Sequence, residues 1–258
     1  MPDTDGALYG TTYLGGTNNF GSVYKITTNG NTYAELHAFA SNPDGGSSYA
    51  GVIQGNDGAL YGTTRSGGTN GTGTVYKLNP DGSGYKVIAS FSGSGDAANP
   101  LGSLVESPGN VLYGASSVGG ANGSGAVFSL NPDGSGRDIL YSFRNVPDGA
   151  LADGGLALGT FSGGTGALYG TTVNGGPHAL GTLYAILINP PLTITPVTSQ
   201  ATTNQTVIFW PVWALNYTLQ STTNLATGTW VTASNGVPVS GLQLTNSAPA
   251  MFYRLLRQ

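Results

Sequence analysis

Three aspartates occupy one position of successive stretches of the chain: Asp44, Asp96 and Asp148, each 52 residues from the next. Three asparagines share a second position, Asn18, Asn70 and Asn122, and the fourth occurrence there is His178. Carboxylate and carboxamide oxygens suit a hard cation such as Ca2+ or the hydroxyls of a sugar. These seven residues are the candidate ligand-binding set. A glycosidase needs two carboxylates at a controlled separation across the scissile bond. The glutamates are only Glu35 and Glu106, and they break the repeat, their counterparts including Val87 and Gln54. The aspartates preserve it, whereas a catalytic pair should not. A repeated acid also has a plainer role in shaping a turn, as in the Asn-Pro-Asp-Gly runs that hold Asp81 and Asp133. His37 and His178 are the only histidines and Cys is absent, so His-rich and thiolate metal sites are excluded. No Gly-x-Ser-x-Gly elbow is present. No catalytic residue is assigned on this basis.

The elements that position these residues are repeated. Leu8-Tyr9-Gly10 returns as Leu60-Tyr61-Gly62, Leu112-Tyr113-Gly114 and Leu168-Tyr169-Gly170. The last interval is four residues longer, which places an insertion near 161–166. A Gly-Gly pair follows each time, then Val23-Tyr24, Val75-Tyr76, Val127-Phe128 and Leu183-Tyr184, then Phe39, Phe91 and Phe143. One period reads as four short strands, A (51–54), B (59–64), C (74–78) and D (85–91). Gly, Asn, Asp and Pro between them supply the dihedrals of tight turns. No apolar period of 3.6 residues runs over helical length. The first repeat lacks A and the fourth lacks D, so the repeats carry three, four, four and three strands.

Four strands per period is the size of a propeller blade, and the doubled glycine is kelch-like. The fold class expected is all-β: a small β-propeller of about four kelch-like blades over 1–190, then an immunoglobulin-like β-sandwich over 191–258. The sandwich rests on six short strands after Asn189-Pro190-Pro191, with Trp210, Trp213 and Trp230 as core candidates. The stretch 192–195 is a candidate for the missing inner strand of blade one. Two chains joining into one larger ring, as a homodimer, is an alternative, as are a piece of a longer repeat array and an open solenoid, whose exposed edges would invite aggregation.

Composition narrows the partners. Only 8 % of residues are charged, net charge is −4 and the pI is near 4.8, which argues against nucleic acid. No apolar run is long enough for a membrane-spanning helix, so membrane insertion is not expected. The N-terminus has no signal-like segment. Low charge with many hydroxyl and amide side chains fits a secreted or cell-surface β-protein.

The pattern Leu-Tyr-Gly-Thr-Thr, Gly-Gly, Gly-Thr-Val-Tyr-Lys-Leu and a closing aromatic, over about 7–190, resembles the GloVer tandem-repeat family of bacterial choice-of-anchor proteins. The resemblance implies secretion or surface display and carries no catalytic motif. The closing residues Arg254–Gln258 do not form the hydrophobic tail that such an anchor would need. The expected function is a non-catalytic surface protein that binds glycans or other surface polymers through the propeller face. A carbohydrate-active hydrolase or lyase using acids of the same face is the alternative. No cofactor is expected except Ca2+ in the propeller channel.

Overall fold

The computed structural model describes residues 6–160 and 166–188, and beyond these the backbone of six strands. The described residues are strands and turns with no helix. Two units emerge, Met1–Ile188 and Asn189–Gln258.

In the first unit each repeat makes one antiparallel sheet. The first repeat contributes β1 (Ala7–Thr12), β2 (Ser22–Thr27) and β3 (Tyr33–Ala38). The second contributes β4 (Ile53–Gln54), β5 (Leu60–Thr64), β6 (Thr74–Leu78) and β7 (Lys86–Ser90). Next come β8 (Ala97–Ala98), β9 (Val105–Glu106), β10 (Leu112–Ser116), β11 (Val118–Gly119), β12 (Ala126–Leu130) and β13 (Asp138–Ser142). The fourth repeat has β14 (Ala157–Thr160), β15 (Gly166–Thr172) and β16 (Thr182–Leu187). The sheets run β1-β2-β3, β4-β5-β6-β7, β9-β10-β12-β13 and β14-β15-β16. Among the described residues these sheets hold three, four, four and three strands, with β8 and β11 pairing separately, and the counts match the sequence spacing. The inserted stretch 161–165 lies outside the described residues.

The invariant glycine of Leu-Tyr-Gly has a steric cause. Gly62 sits opposite Tyr76 across the β5–β6 ladder, and a Cβ there would fall 2.3 Å from the Tyr76 hydroxyl. The aromatic ring lies flat over the glycine because nothing projects from it. A shared bulge also marks the C–D pairing, between Val23/Tyr24, Val75/Tyr76 and Val127/Phe128. It turns the D strand so that its closing Phe enters the core.

That core lies between repeats. Tyr9, Val23 and Phe39 of the first repeat pack on Val52, Leu60, Tyr76 and Leu78 of the second. The equivalent residues, Tyr61, Val75 and Phe91 with Leu104, Leu112, Phe128 and Leu130, fill the second seam. Val127 and Phe143 with Leu156 and Leu168 fill the third. Each sheet thus buries its faces only against its neighbours, as in other repeat arrays.

The seams are also tied by backbone. Gly46 bridges Ser66, β8 pairs with β11, and Ala150 bridges Asn174, all antiparallel and all at one repeat position. The next residue, Ser47, Asn99 or Leu151, has φ of 56°, 50° or 57°. Its N–H donates to Phe20, Thr72 or Ser124 of its own repeat's B–C loop. Its carbonyl accepts from Arg65, Ser117 or Val173 of the next repeat. This relay requires the left-handed turn strongly enough to hold even Leu151 there, a conformation rare for such a side chain.

In the second unit, β17 (Thr193–Pro196), β18 (Gln205–Phe209) and β21 (Leu242–Thr245) form one sheet in the order β17-β18-β21. Strands β19 (Tyr217–Thr222), β20 (Val231–Asn235) and β22 (Phe252–Arg257) form another in the order β20-β19-β22. The stretch expected to complete blade one instead pairs with its near neighbour β18, Thr193 opposite Phe209. A short loop closes at less entropic cost than a return to the first repeat. Trp210, Trp213 and Trp230 lie outside the described residues.

Candidate functional site

The rim formed by the D–A connections and B–C loops carries all seven predicted residues. The aspartates are only 15 %, 12 % and 16 % exposed in their side chains and are each engaged within the fold. Asp44 Oδ2 accepts from the Ala40 amide at 2.8 Å and faces His37 Nε2 at 3.0 Å. Asp96 Oδ2 accepts from the Ser92 amide at 3.0 Å and pairs with Arg137 at 3.3 Å. Asp148 accepts from the Arg144 amide and the Tyr141 hydroxyl. In every case the carboxylate caps the amide four residues before it. Burial would raise the Asp44 carboxyl, but hydrogen bonding with His37 and the Ala40 amide outweighs it and holds it below the ordinary aspartate value. At Asp148 burial is likewise outweighed by Tyr141 and by backbone amides.

The asparagines have a matching role. The side-chain amides of Asn18, Asn70 and Asn122 donate to the carbonyls of Ala38, Phe91 and Ser142, bracing each B–C loop on the end of its D strand. His178, at the same position in the fourth repeat, is exposed. His37 is a packing residue, its ring stacked 3.5 Å from that of Tyr85 at an angle of 6°. Asp81 and Asp133 close their turns on Ser83 and Ser135. Glu106 accepts from the Asn56 amide of the preceding repeat at 2.7 Å. Among the described residues no three His, Asp or Glu side chains converge on a metal position.

Other residues of this rim stand out because the repeat does not keep them. The position of Arg65, Ser117 and Val173 on the relay is Tyr13 in the first repeat; that of Tyr49 and Leu101 is Asp153 in the third. Tyr13 and Tyr49 are 39 % and 55 % exposed, with ring centroids 4.7 Å apart. The Tyr13 hydroxyl interacts with Tyr49, then Ser47, then Arg65, which lowers its pKa, while the same contact raises that of Tyr49. Arg65 is exposed and has no carboxylate partner among the described residues. Asp153 differs from the other aspartates: its Oδ1 is buried without a hydrogen bond, and burial pushes its carboxyl up. The signal for these four was divergence at a repeated position, where repetition had drawn attention to the conserved ones.

The opposite rim, of A–B and C–D turns, carries an open polar cleft of about 510 Å³ between the second and third repeats, lined by Asn56, Asp57, Glu106, Asn110, Asn131 and Asp133. At the third seam a pocket of about 250 Å³ lies between Tyr141, Phe143, Asp148, Tyr184, Ala185 and Ile186.

Solved structures similar to this chain include a nidogen/laminin complex, at 15 % identity and TM-score 0.45, covering 89 % of this chain and 75 % of that one. A gluconolactonase from Xanthomonas campestris shows 22 % identity and TM-score 0.38, with 72 % and 61 % covered. A putative 6-phosphogluconolactonase from Bacteroides uniformis shows 11 % identity and TM-score 0.36, with 92 % and 66 % covered. No curated protein matches the chain. The Gloeobacter/Verrucomicrobia repeat model matches residues 1–225, past the boundary expected at 190, and the chain belongs to that family.

Proposed function

We propose that this is a non-catalytic, secreted or surface-displayed protein whose four repeats are blades of a small propeller followed by a β-sandwich, and that it binds glycans at the D–A/B–C rim. The observation that carries this reading is the exposed Tyr13–Tyr49 pair beside Arg65. Aromatic faces receive the C–H face of a sugar ring, with hydroxyls at the ring edge for polar contact. A guanidinium beside them with no carboxylate partner among the described residues suits a carboxylate-bearing sugar. The Asp44, Asp96, Asp148, Asn18, Asn70, Asn122 and His178 set is a second contact region on the same rim.

The test is pull-down on a polyuronate and on a neutral glucan. Binding to the polyuronate should fall at least roughly tenfold in Tyr49→Ala and in Arg65→Ala. Unchanged binding in both variants overturns the assignment. A triple Asp44/Asp96/Asp148→Asn variant reports on the second region, and a chelator arm reports on a calcium ion held there.

The half-buried Asp153 favours a second reading. Its Oδ1 is buried without a hydrogen bond and burial raises its carboxyl pKa, the direction of shift that suits a general acid. Hydrolysis or elimination on a polysaccharide panel, lost in Asp153→Asn, would replace the binding reading with a catalytic one.

A further inference from the structure

The three seams share one construction, and among the described residues two of them contain a side chain that has no counterpart in the third. In the first seam Tyr85, at the start of the second repeat's D strand, enters between the repeats. It stacks on His37 and lies 5.7 Å from the Tyr76 ring and 6.4 Å from that of Phe39, and burial and the nearby Asp44 push its hydroxyl pKa up. In the second seam the equivalent residue is Arg137. Its Nη2 meets Asp96 at 3.3 Å, its Nη1 donates to the Ser90 carbonyl at 2.8 Å, and its guanidinium lies 5.8 Å from the Phe91 ring. In the third seam the counterparts of His37, Phe39, Asp44 and Tyr76 are Tyr141, Phe143, Asp148 and Tyr184, and with Ala185 and Ile186 they line the 250 Å³ pocket. The pocket is therefore the seat of a D-strand residue.

Among the described residues no strand presents that residue either. β16 is an edge of its sheet, whereas β2, β6 and β12 are each covered by a D strand. Val23, Val75 and Val127 are 0 % exposed, and their counterpart Leu183 is 78 % exposed. An exposed apolar edge beside a shaped pocket is the arrangement by which sheets take up an extended peptide.

We propose that the β16 edge and the pocket over Asp148 form an acceptor site for an extended protein strand supplied in trans, carrying an arginine or tyrosine that enters the pocket and a phenylalanine six residues later. The pattern comes from the two internal strands that fill the equivalent seats. Tyr85-Lys-Val-Ile-Ala-Ser-Phe91 and Arg137-Asp-Ile-Leu-Tyr-Ser-Phe143 enter with Tyr and Arg respectively and share a large aliphatic at the bulge, Ser and Phe. Main-chain hydrogen bonds to β16 hold the peptide, the bulge aims its Phe onto the face that carries Leu183, as Phe39, Phe91 and Phe143 lie with Val23, Val75 and Val127, and Asp148 on the opposite face meets the entering cation or hydroxyl.

The probe is a fluorescein-labelled peptide of residues 137–143, titrated into the full chain and followed by anisotropy. Saturable binding is expected, weakened at least roughly tenfold by Leu183→Asp in the protein and by Arg137→Ala in the peptide. Register is read by cross-linking, since the chain has no cysteine. Val75 pairs with Ala89 and Val127 with Tyr141, so Leu183→Cys should form a disulfide with a peptide carrying Tyr141→Cys. Leu158→Cys on β14, at the other edge of the sheet, should not. No saturable binding to a folded chain, or binding indifferent to Leu183→Asp, or equal cross-linking at both positions, overturns the proposal.

Discussion

The second and fourth repeats are built from nearly the same residue pattern and differ in what becomes of it. In the second, Leu60, Tyr61, Val75 and Tyr76 are all 0 % exposed, enclosed by a four-stranded sheet with a repeat on either side. In the fourth, Leu168 keeps its burial against the third repeat, while Leu183 stands 78 % exposed on a three-stranded sheet. The burial of a given repeat residue is thus supplied by the following strand and the following repeat. The apolar sequence is necessary for the core but does not form one alone.

Substitutions sharpen this difference. The largest effect is expected at Phe91, which is 0 % exposed in the second seam between the second and third repeats. Phe91→Ala should cost about 3–5 kcal/mol in denaturant unfolding. Gly134→Ala should follow. Its φ is +90°, and a Cβ would lie 2.1 Å from the Ile88 carbonyl of the repeat before, so about 1–3 kcal/mol of strain and displacement is expected. Gly123→Ala, with φ +73° and open space around it, should cost about 1 kcal/mol, which separates dihedral strain from seam contact.

A third test uses pH. Asp44 has its folded pKa depressed, so the unfolded chain binds the proton more readily and stability rises with pH. The contribution is fully present above the unfolded aspartate value of about 3.9 and is lost as pH falls through the folded one. Asp44→Asn should flatten the acid limb of the stability profile below about pH 4. An unchanged limb would show that the carboxylate does not hold the first seam. The smallest effect belongs to the fourth repeat: Leu183→Ala should shift stability by less than about 0.5 kcal/mol. A large loss there would mean that the β16 edge is already covered, and the contrast with the second repeat would fall.

Much of the fold was legible in the sequence, and the reason is local. The Asn-Pro-Asp-Gly and Gly-Gly runs specify turns through dihedrals that few other residues adopt, and the Leu-Tyr-Gly register is set by one aromatic lying over one glycine. These act within a hairpin, so the strand counts of three, four, four and three follow from spacing. The stretch 192–195 was misplaced because its composition states that it is a strand without stating its partner, and the nearer β18 takes it. The site was less legible. Asp44, Asp96 and Asp148 look alike in sequence, yet one meets a histidine, one an arginine from the next repeat and one a tyrosine of its own.

The sequence by itself determined the repeat, its turns and the strands that each copy contains. Only the tertiary structure decided that the repeated aspartates cap loops and brace seams, that the divergent Tyr13, Tyr49, Arg65 and Asp153 share one rim, and that one of three equivalent seats is left unfilled by the described residues. Turn chemistry is encoded in adjacent residues, whereas a seam is made by side chains about fifty positions apart, and their meeting depends on how one sheet is laid against the next.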